Sequence, residues 1–333
     1  MQDTENHRII FLYFNDYTMK LGEIYNLSVQ MGMDADPRGR DGAEKVLNRA
    51  KEAHAKLEEK DKEYFDEDTL KNPYSDSRIL FGDPDFEVKK ILTGIDIEGD
   101  ELLLAKQLGN VDACIAHHPR GRALAKLDDV MDMQADVLAQ YGVPINVAEA
   151  LLNKRISEVT RGLSPSNHFR PVEIAKLLGM PYMCAHTVTD NLVYQFLKSK
   201  VEGGNFERVS DILDMLMTTP EYQEAKRRGS GPMLFAGKND NRAGKIAVTE
   251  VTGGTEGAHD IYEKMANAGI GTVIAMHQSE KHREFAENAH VNVVIAGHMS
   301  SDSIGLNLFL DKLEEQGVEI VPCSGLIRVS RVK

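Results

Sequence analysis

From about residue 80 onward, short unbroken apolar runs alternate with longer amphipathic stretches. A run of four to eight apolar residues between polar or turn-forming neighbours fits a strand buried on both faces, the usual state of a parallel sheet. On this reading residues 88–95, 111–117, 182–186, 246–251, 272–276 and 291–296 are strands, and 318–321 and 326–332 close the chain as strands. The segments 99–108, 128–141, 148–162, 171–179, 206–217, 220–228, 258–268, 279–289 and 303–316 read as helices, and a further helix follows residue 190 and ends near 201. The alternation predicts an α/β fold in two α/β domains of βαβ organisation, with a parallel or mostly parallel sheet. Residues 1–75 differ. Residues 9–30 are apolar enough to pack, whereas 42–68 form a charged helix whose apolar stripe is only Val46, Leu47, Ala50 and Leu57, the pattern of a surface-laid helix. We divide the chain into an N-terminal helical extension (1–75), a first α/β domain (76–204 with 318–333) and a second (205–317). The Gly-, Pro- and Asn-rich stretch 229–244 is the expected linker.

The apolar runs share an ending. Val111-Asp112-Ala113-Cys114-Ile115-Ala116 stops at His117-His118-Pro119, and residues 291–298 repeat the spacing up to His298. The run at 273–276 ends at His277 and the run at 182–185 at His186. In open α/β sheets, ligands gather beyond the carboxyl ends of the strands, so these endings aim several imidazoles at one crevice. His186 and Asp190 stand four apart, as do His298 and Asp302. That spacing puts imidazole and carboxylate on one helical face, where they serve one cation or each other, although Asp190 also suits a helix cap. Asp96 and Glu98, after the first strand, either approach the histidine pair or cap the next helix.

Composition narrows the chemistry. The 333 residues include 42 % hydrophobic positions and carry a formal charge of -13, which disfavours sequence-independent nucleic-acid binding and suits a cation site. There is no eighteen-residue apolar run, so no membrane span is expected, and the polar start leads us to expect a cytoplasmic protein. The three cysteines, Cys114, Cys184 and Cys323, are widely spaced and read as buried thiols. Imidazole with carboxylate suits zinc, iron or manganese better than calcium or magnesium. Neighbouring histidines point to opposite sides of an extended chain, so His117 and His118 serve two ions at a bend better than one ion within a strand. Two divalent ions about 3.5 to 4 Å apart are an arrangement of many hydrolases. The opposing reading is a set of core histidines bonded to backbone carbonyls. The loop Gly253-Gly254-Thr255-Glu256-Gly257 suits either an anion or a plain tight turn.

Phe81-Gly82-Asp83-Pro84, His117-His118-Pro119, Ala185-His186-Thr187-x-x-Asp190, the glycine loop and Gly297-His298-x-x-x-Asp302 come in an order that resembles the NIF-three-like dinuclear-metal proteins, often labelled type 2 GTP cyclohydrolase I homologues. The resemblance covers roughly residues 76–333. It implies two metal ions per chain in a cleft between domains, held by His117, His118, Asp190, His298 and Asp302, in a hexamer built from dimers. Asp302 stands where the family usually has Glu. His186 and His282 match family histidines and are the expected proton shuttles, and His277 replaces a more usual acid. Arg120 and Arg122, in a stretch where the family tends to be apolar, are either receivers for a phosphate-bearing small molecule or nucleotide, with His277, or plain surface residues. The expected function is a metal-dependent hydrolase; the alternatives are a metal-trafficking or storage protein and a metal-stabilised scaffold.

Overall fold

A computed structural model describes residues 18–332. Residues 9–17 of the apolar run expected at 9–30 lie outside them. The described strands are Met19–Lys20 (β1), Arg78–Phe81 (β2), Glu87–Val88 (β3), Lys90–Gly94 (β4), Ala113–Ala116 (β5), Tyr182–Cys184 (β6), Met233–Ala236 (β7), Lys245–Val248 (β8), Ile270–Ala275 (β9), Asn292–Ile295 (β10) and Glu319–Cys323 (β11). They form one sheet in the order β11-β4-β5-β6-β2 and another in the order β7-β10-β9-β8, with β1 paired to β3 apart from both. Each larger sheet has a parallel centre and one antiparallel edge, β2 in the first and β7 in the second. The fold is α/β with an N-terminal helical extension, as the apolar runs predict. Strands β4, β5, β6, β9 and β10 are almost wholly buried, which is why their sequences show no alternation.

Because neighbouring strands run parallel, their carboxyl ends share one edge. Asp96 follows β4, His117 and His118 follow β5, and His186 follows β6; in the other sheet His277 follows β9 and His298 follows β10. Helices Thr187–Glu202 and His298–Glu314 carry Asp190 and Asp302 in or next to their first turns and pack on each other. Their approach is close at Gly305, where a Cβ would lie 2.2 Å from the Thr189 carbonyl oxygen. Helix Leu21–Asp34 also packs on the helix 187–202, burying Leu21, Ile24, Tyr25, Val29 and Met33, and Asn191 donates to the Gly32 carbonyl at 3.0 Å.

Several expected boundaries change. The stretch 229–244 contains β7, an edge strand whose Met-Leu-Phe-Ala run was hidden among turn-forming neighbours. Residues 326–332 are not a strand: they are held by side chains, with Asn307 donating to the Ile327 carbonyl at 2.9 Å, Arg328 to Asp311 at 2.6 Å and Arg331 to Glu221 at 2.6 Å. The charged helix expected at 42–68 is broken into Arg40–Ala55, Glu59–Lys62 and a 3-10 turn at Glu67–Leu70; within the first piece only Ala43 is buried. The last long helix begins at His298 rather than 303, which places His298 and Asp302 on one helical face.

Candidate metal centre

Three histidines are fixed at Nδ1 and turn Nε2 the same way. His117, fully buried, donates from Nδ1 to the Ala185 carbonyl at 3.1 Å and to the Thr189 hydroxyl at 3.0 Å. His118 Nδ1 is 2.9 Å from Asp96 Oδ1, so Asp96 approaches the pair while Glu98 caps the helix that starts at Gly99. His186 Nδ1 lies 2.7 Å from Asp76 Oδ2. Securing one ring nitrogen in this way fixes tautomer and orientation and leaves the other nitrogen for a cation.

The free nitrogens converge on two buried carboxylates. His117 Nε2 is 3.4 Å from Asp190 Oδ1 and 3.6 Å from Asp302 Oδ1. On the other side, Asp302 Oδ2 is 3.5 Å from both His118 Nε2 and His298 Nε2. His186 Nε2 is 3.7 Å from Asp190 Oδ2. These gaps exceed ordinary hydrogen bonds, and His117 Nε2, Asp190 Oδ1 and both Asp302 carboxylate oxygens are buried without a hydrogen-bond partner. Burying such atoms unpaired is costly. Two ligand atoms each about 2.1 Å from one ion at a tetrahedral angle stand about 3.4 Å apart, so the spacing fits a divalent cation between them. Three clusters have all their ligand atoms within 4.8 Å: His117, His118 and His186; His118, His298 and Asp302; and His117, Asp190 and Asp302.

Electrostatics agree with that fit. Burial opposes protonation of His117, yet the Asp302 and Asp190 carboxylates outweigh it and hold its pKa up at about 10. Burial likewise opposes ionisation of Asp302, but His117 and His118 keep it well below the usual carboxylate range. The pair of carboxylates therefore favours positive charge at this point, which a proton or an ion can supply. Burial lowers His298 to about 4 and lowers His277 as well, leaving both as neutral imidazoles, the form that binds metals.

Beside the cluster lies a cavity of about 20 Å³ whose walls include His186, Asp190, His277 and His298 and the loop residues Glu250 to Thr252. His277 stacks edge-on against His298 at 4.9 Å. Gly253 and Gly254 take φ of +90° and +87°, so the loop makes a tight turn, and its Gly254 and Thr255 line the cavity. Gln134 holds that turn, donating both amide hydrogens, to the Gly253 and Thr255 carbonyls at 2.7 Å each, and Thr252 donates to Asn191 at 2.6 Å.

The other expected residues lie outside the three clusters. Arg120 is spent on carboxylates, 2.5 Å from Glu98 and 3.0 Å from the same Asp96 oxygen that holds His118. Arg122 faces Asp66 at 3.3 Å. His282 is buried near Glu256, 3.6 Å away, edge-on to His259 and Tyr262 and outside the cavity walls. Sequence reading missed Asp76, which contacts His186 across 110 positions and carries no local spacing signal.

No protein-family model matches the chain, and no curated protein matches it. Among solved structures it is similar to a NIF3 superfamily protein from Sphaerobacter thermophilus, with 27 % identity over 93 % of this chain and 100 % of that one and a TM-score of 0.73. The chain has a NIF3-like fold. Reduced HcgD from Methanocaldococcus jannaschii matches at 18 % identity over 73 % of this chain and 87 % of that one, with a TM-score of 0.44. A Bacillus cereus protein related to NIF3 matches at 12 % identity over 78 % and 91 %, with a TM-score of 0.39. In this NIF3-like chain the buried histidines and aspartates are compatible with metal binding. Among the described residues no helix is long and apolar enough to cross a membrane.

Proposed function

We propose that this chain binds two divalent metal ions, zinc, iron or manganese, and uses them as a hydrolase on a phosphate-bearing small molecule or nucleotide. The observation that carries the reading is Asp302: its two oxygens face different sets of nitrogens, His117 on one side and His118 with His298 on the other. His117, Asp190 and Asp302 would hold one ion, and His118, His298 and Asp302 the other. When bound, the ions would supply Lewis-acid polarisation of the substrate and a lowered pKa for a water between them. The chain's own residues then do the rest. Asp96, itself gripped by Arg120, orients His118. His186 presents a ring nitrogen at the edge of the cluster, where it can take a proton from water and return it to the leaving group. His277 and the loop at 250–255 line the cavity beside the cluster.

The cavity of about 20 Å³ favours a second reading, a metal-handling protein without turnover, because it admits a water but not a nucleotide. The metal-loaded protein, purified without a histidine tag, should be assayed against nucleotides and small phosphate esters. Turnover lost in His186→Ala with metal content retained is the expected result. Absence of turnover across the set, with stoichiometric transfer of metal to an acceptor, would replace the hydrolase by the second reading.

A further inference from the structure

We propose that Asp76 is a positioning residue that locks His186 in the Nδ1–H tautomer and so keeps its unprotonated Nε2 turned toward the ligand cluster. Asp76 precedes β2, at the antiparallel edge of the first sheet, and its side chain is fully buried. Its Oδ2 receives two hydrogens, one from His186 Nδ1 at 2.7 Å and one from the Thr187 hydroxyl at 2.7 Å. Ser77 ties the same corner together, accepting the His186 backbone N–H at 2.9 Å while its hydroxyl lies 3.3 Å from Asp76 Oδ1. Among the described residues, each hydrogen bond made to this carboxylate is therefore donated to it. A carboxylate that only accepts demands the hydrogen on Nδ1, and a neutral imidazole then has its lone pair on Nε2.

The direction of that lone pair gives the arrangement its use. His186 Nε2 lies 3.7 Å from Asp190 Oδ2, too far for a hydrogen bond, and a ring nitrogen of His186 sits within 4.8 Å of ligand atoms of His117 and His118. Were the hydrogen on Nε2 instead, it would point into the cluster and His186 could neither face a cation nor accept a proton there. The backbone and carboxylate acceptors behind His117 and His118 impose the same polarity, so Asp76 completes a set in which all three rings offer Nε2. The catalytic consequence rests on the hydrolase reading above; the tautomer does not.

The test is nitrogen NMR on full-length protein with ¹⁵N-labelled histidine, as isolated and after zinc addition, with the His186 signals identified by their loss in His186→Gln. In the wild type, Nδ1 of His186 should resonate as the protonated nitrogen and Nε2 as the unprotonated or metal-shifted one. Asp76→Asn, whose side-chain oxygen can still accept, should retain that pattern. Asp76→Ala should lose it, the Nδ1–H form falling from nearly all of the population to a minority. A wild-type His186 carrying its hydrogen on Nε2, or an Asp76→Ala spectrum identical to wild type, would overturn the proposal. The wild-type spectrum decides even if Asp76→Ala does not fold. No turnover is measured, so failure of the hydrolase reading leaves this result standing.

Discussion

Asp302 belongs to two of the three ligand clusters, whereas His298 belongs to one, and that difference predicts metal stoichiometry. Truncating Asp302 removes the carboxylate shared by the two proposed ion positions and leaves intact only the carboxylate-free cluster of His117, His118 and His186. Truncating His298 leaves the His117, Asp190 and Asp302 cluster intact. Elemental analysis of protein purified without chelator or tag should therefore give near two metals per chain in wild type, near one in His298→Ala and near none in Asp302→Ala. Thermal melts add an independent reading. An ion at a hundredfold excess over its dissociation constant stabilises the native state by about 2.7 kcal/mol. Taking the lower end of the usual conversion, about 2 °C per kcal/mol for a long chain, saturating one position should raise the melting temperature by about 5 °C. The comparison must be the rise on adding zinc, not the melting temperature itself. Asp302 is completely buried among imidazoles, and removing one member of such a group costs about 3–5 kcal/mol even without metal. Asp302→Ala should show no rise, and His298→Ala a single-site rise. Wild-type metal content in Asp302→Ala, or complete loss in His298→Ala with partial retention in Asp302→Ala, would refute the assignment of Asp302 as the shared ligand.

Gly305→Ala would place a methyl carbon 2.2 Å from the Thr189 carbonyl oxygen, so helices 187–202 and 298–314 must separate. We expect a loss of about 1–3 kcal/mol in urea unfolding together with weaker zinc binding, because those helices carry Asp190 and Asp302; unchanged stability would show that the contact is looser than described. Glu250 has φ of +55° and lies against the cleft, and burial pushes its pKa from 4.5 up to about 7. A folded-state pKa above the unfolded one stabilises the protein below pH 4.5 and loses that contribution as the pH rises through about 7. The loss is at most about 3 kcal/mol, and less for a side chain that keeps some solvent contact. Urea midpoints at the two ends of that window should fall more steeply with rising pH in wild type than in Glu250→Gln, whose amide can still accept the Gly257 N–H; parallel slopes would contradict the raised pKa.

The parts of this fold that were legible in sequence share a physical cause. A central parallel strand is covered on both faces, so it writes itself as an unbroken apolar run, and the residue that ends the run is the one delivered to the carboxyl edge; His117, His118, His186, His277 and His298 were all readable in that way. The His-x-x-x-Asp pairs were readable because the helical period converts a spacing of four into one face. What stayed hidden depends on distant contacts. β7 is an edge strand whose partner lies more than fifty residues later, and Asp76 meets His186 across 110 positions. His282 shows the limit from the other direction: its motif position suggested the centre, but the turn of helix Glu280–Asn288 buries it beside Glu256 instead. Asp302 joins the two scales. Its local spacing from His298 brings it into the first turns of its helix, yet its short side chain reaches His117 and His118 only because Gly305, one turn on, removes the Cβ that would hold that helix off Thr189. A ligand set of this kind is thus specified jointly, by a local period that aims each carboxylate and by a small residue that fixes the distance between the elements carrying them.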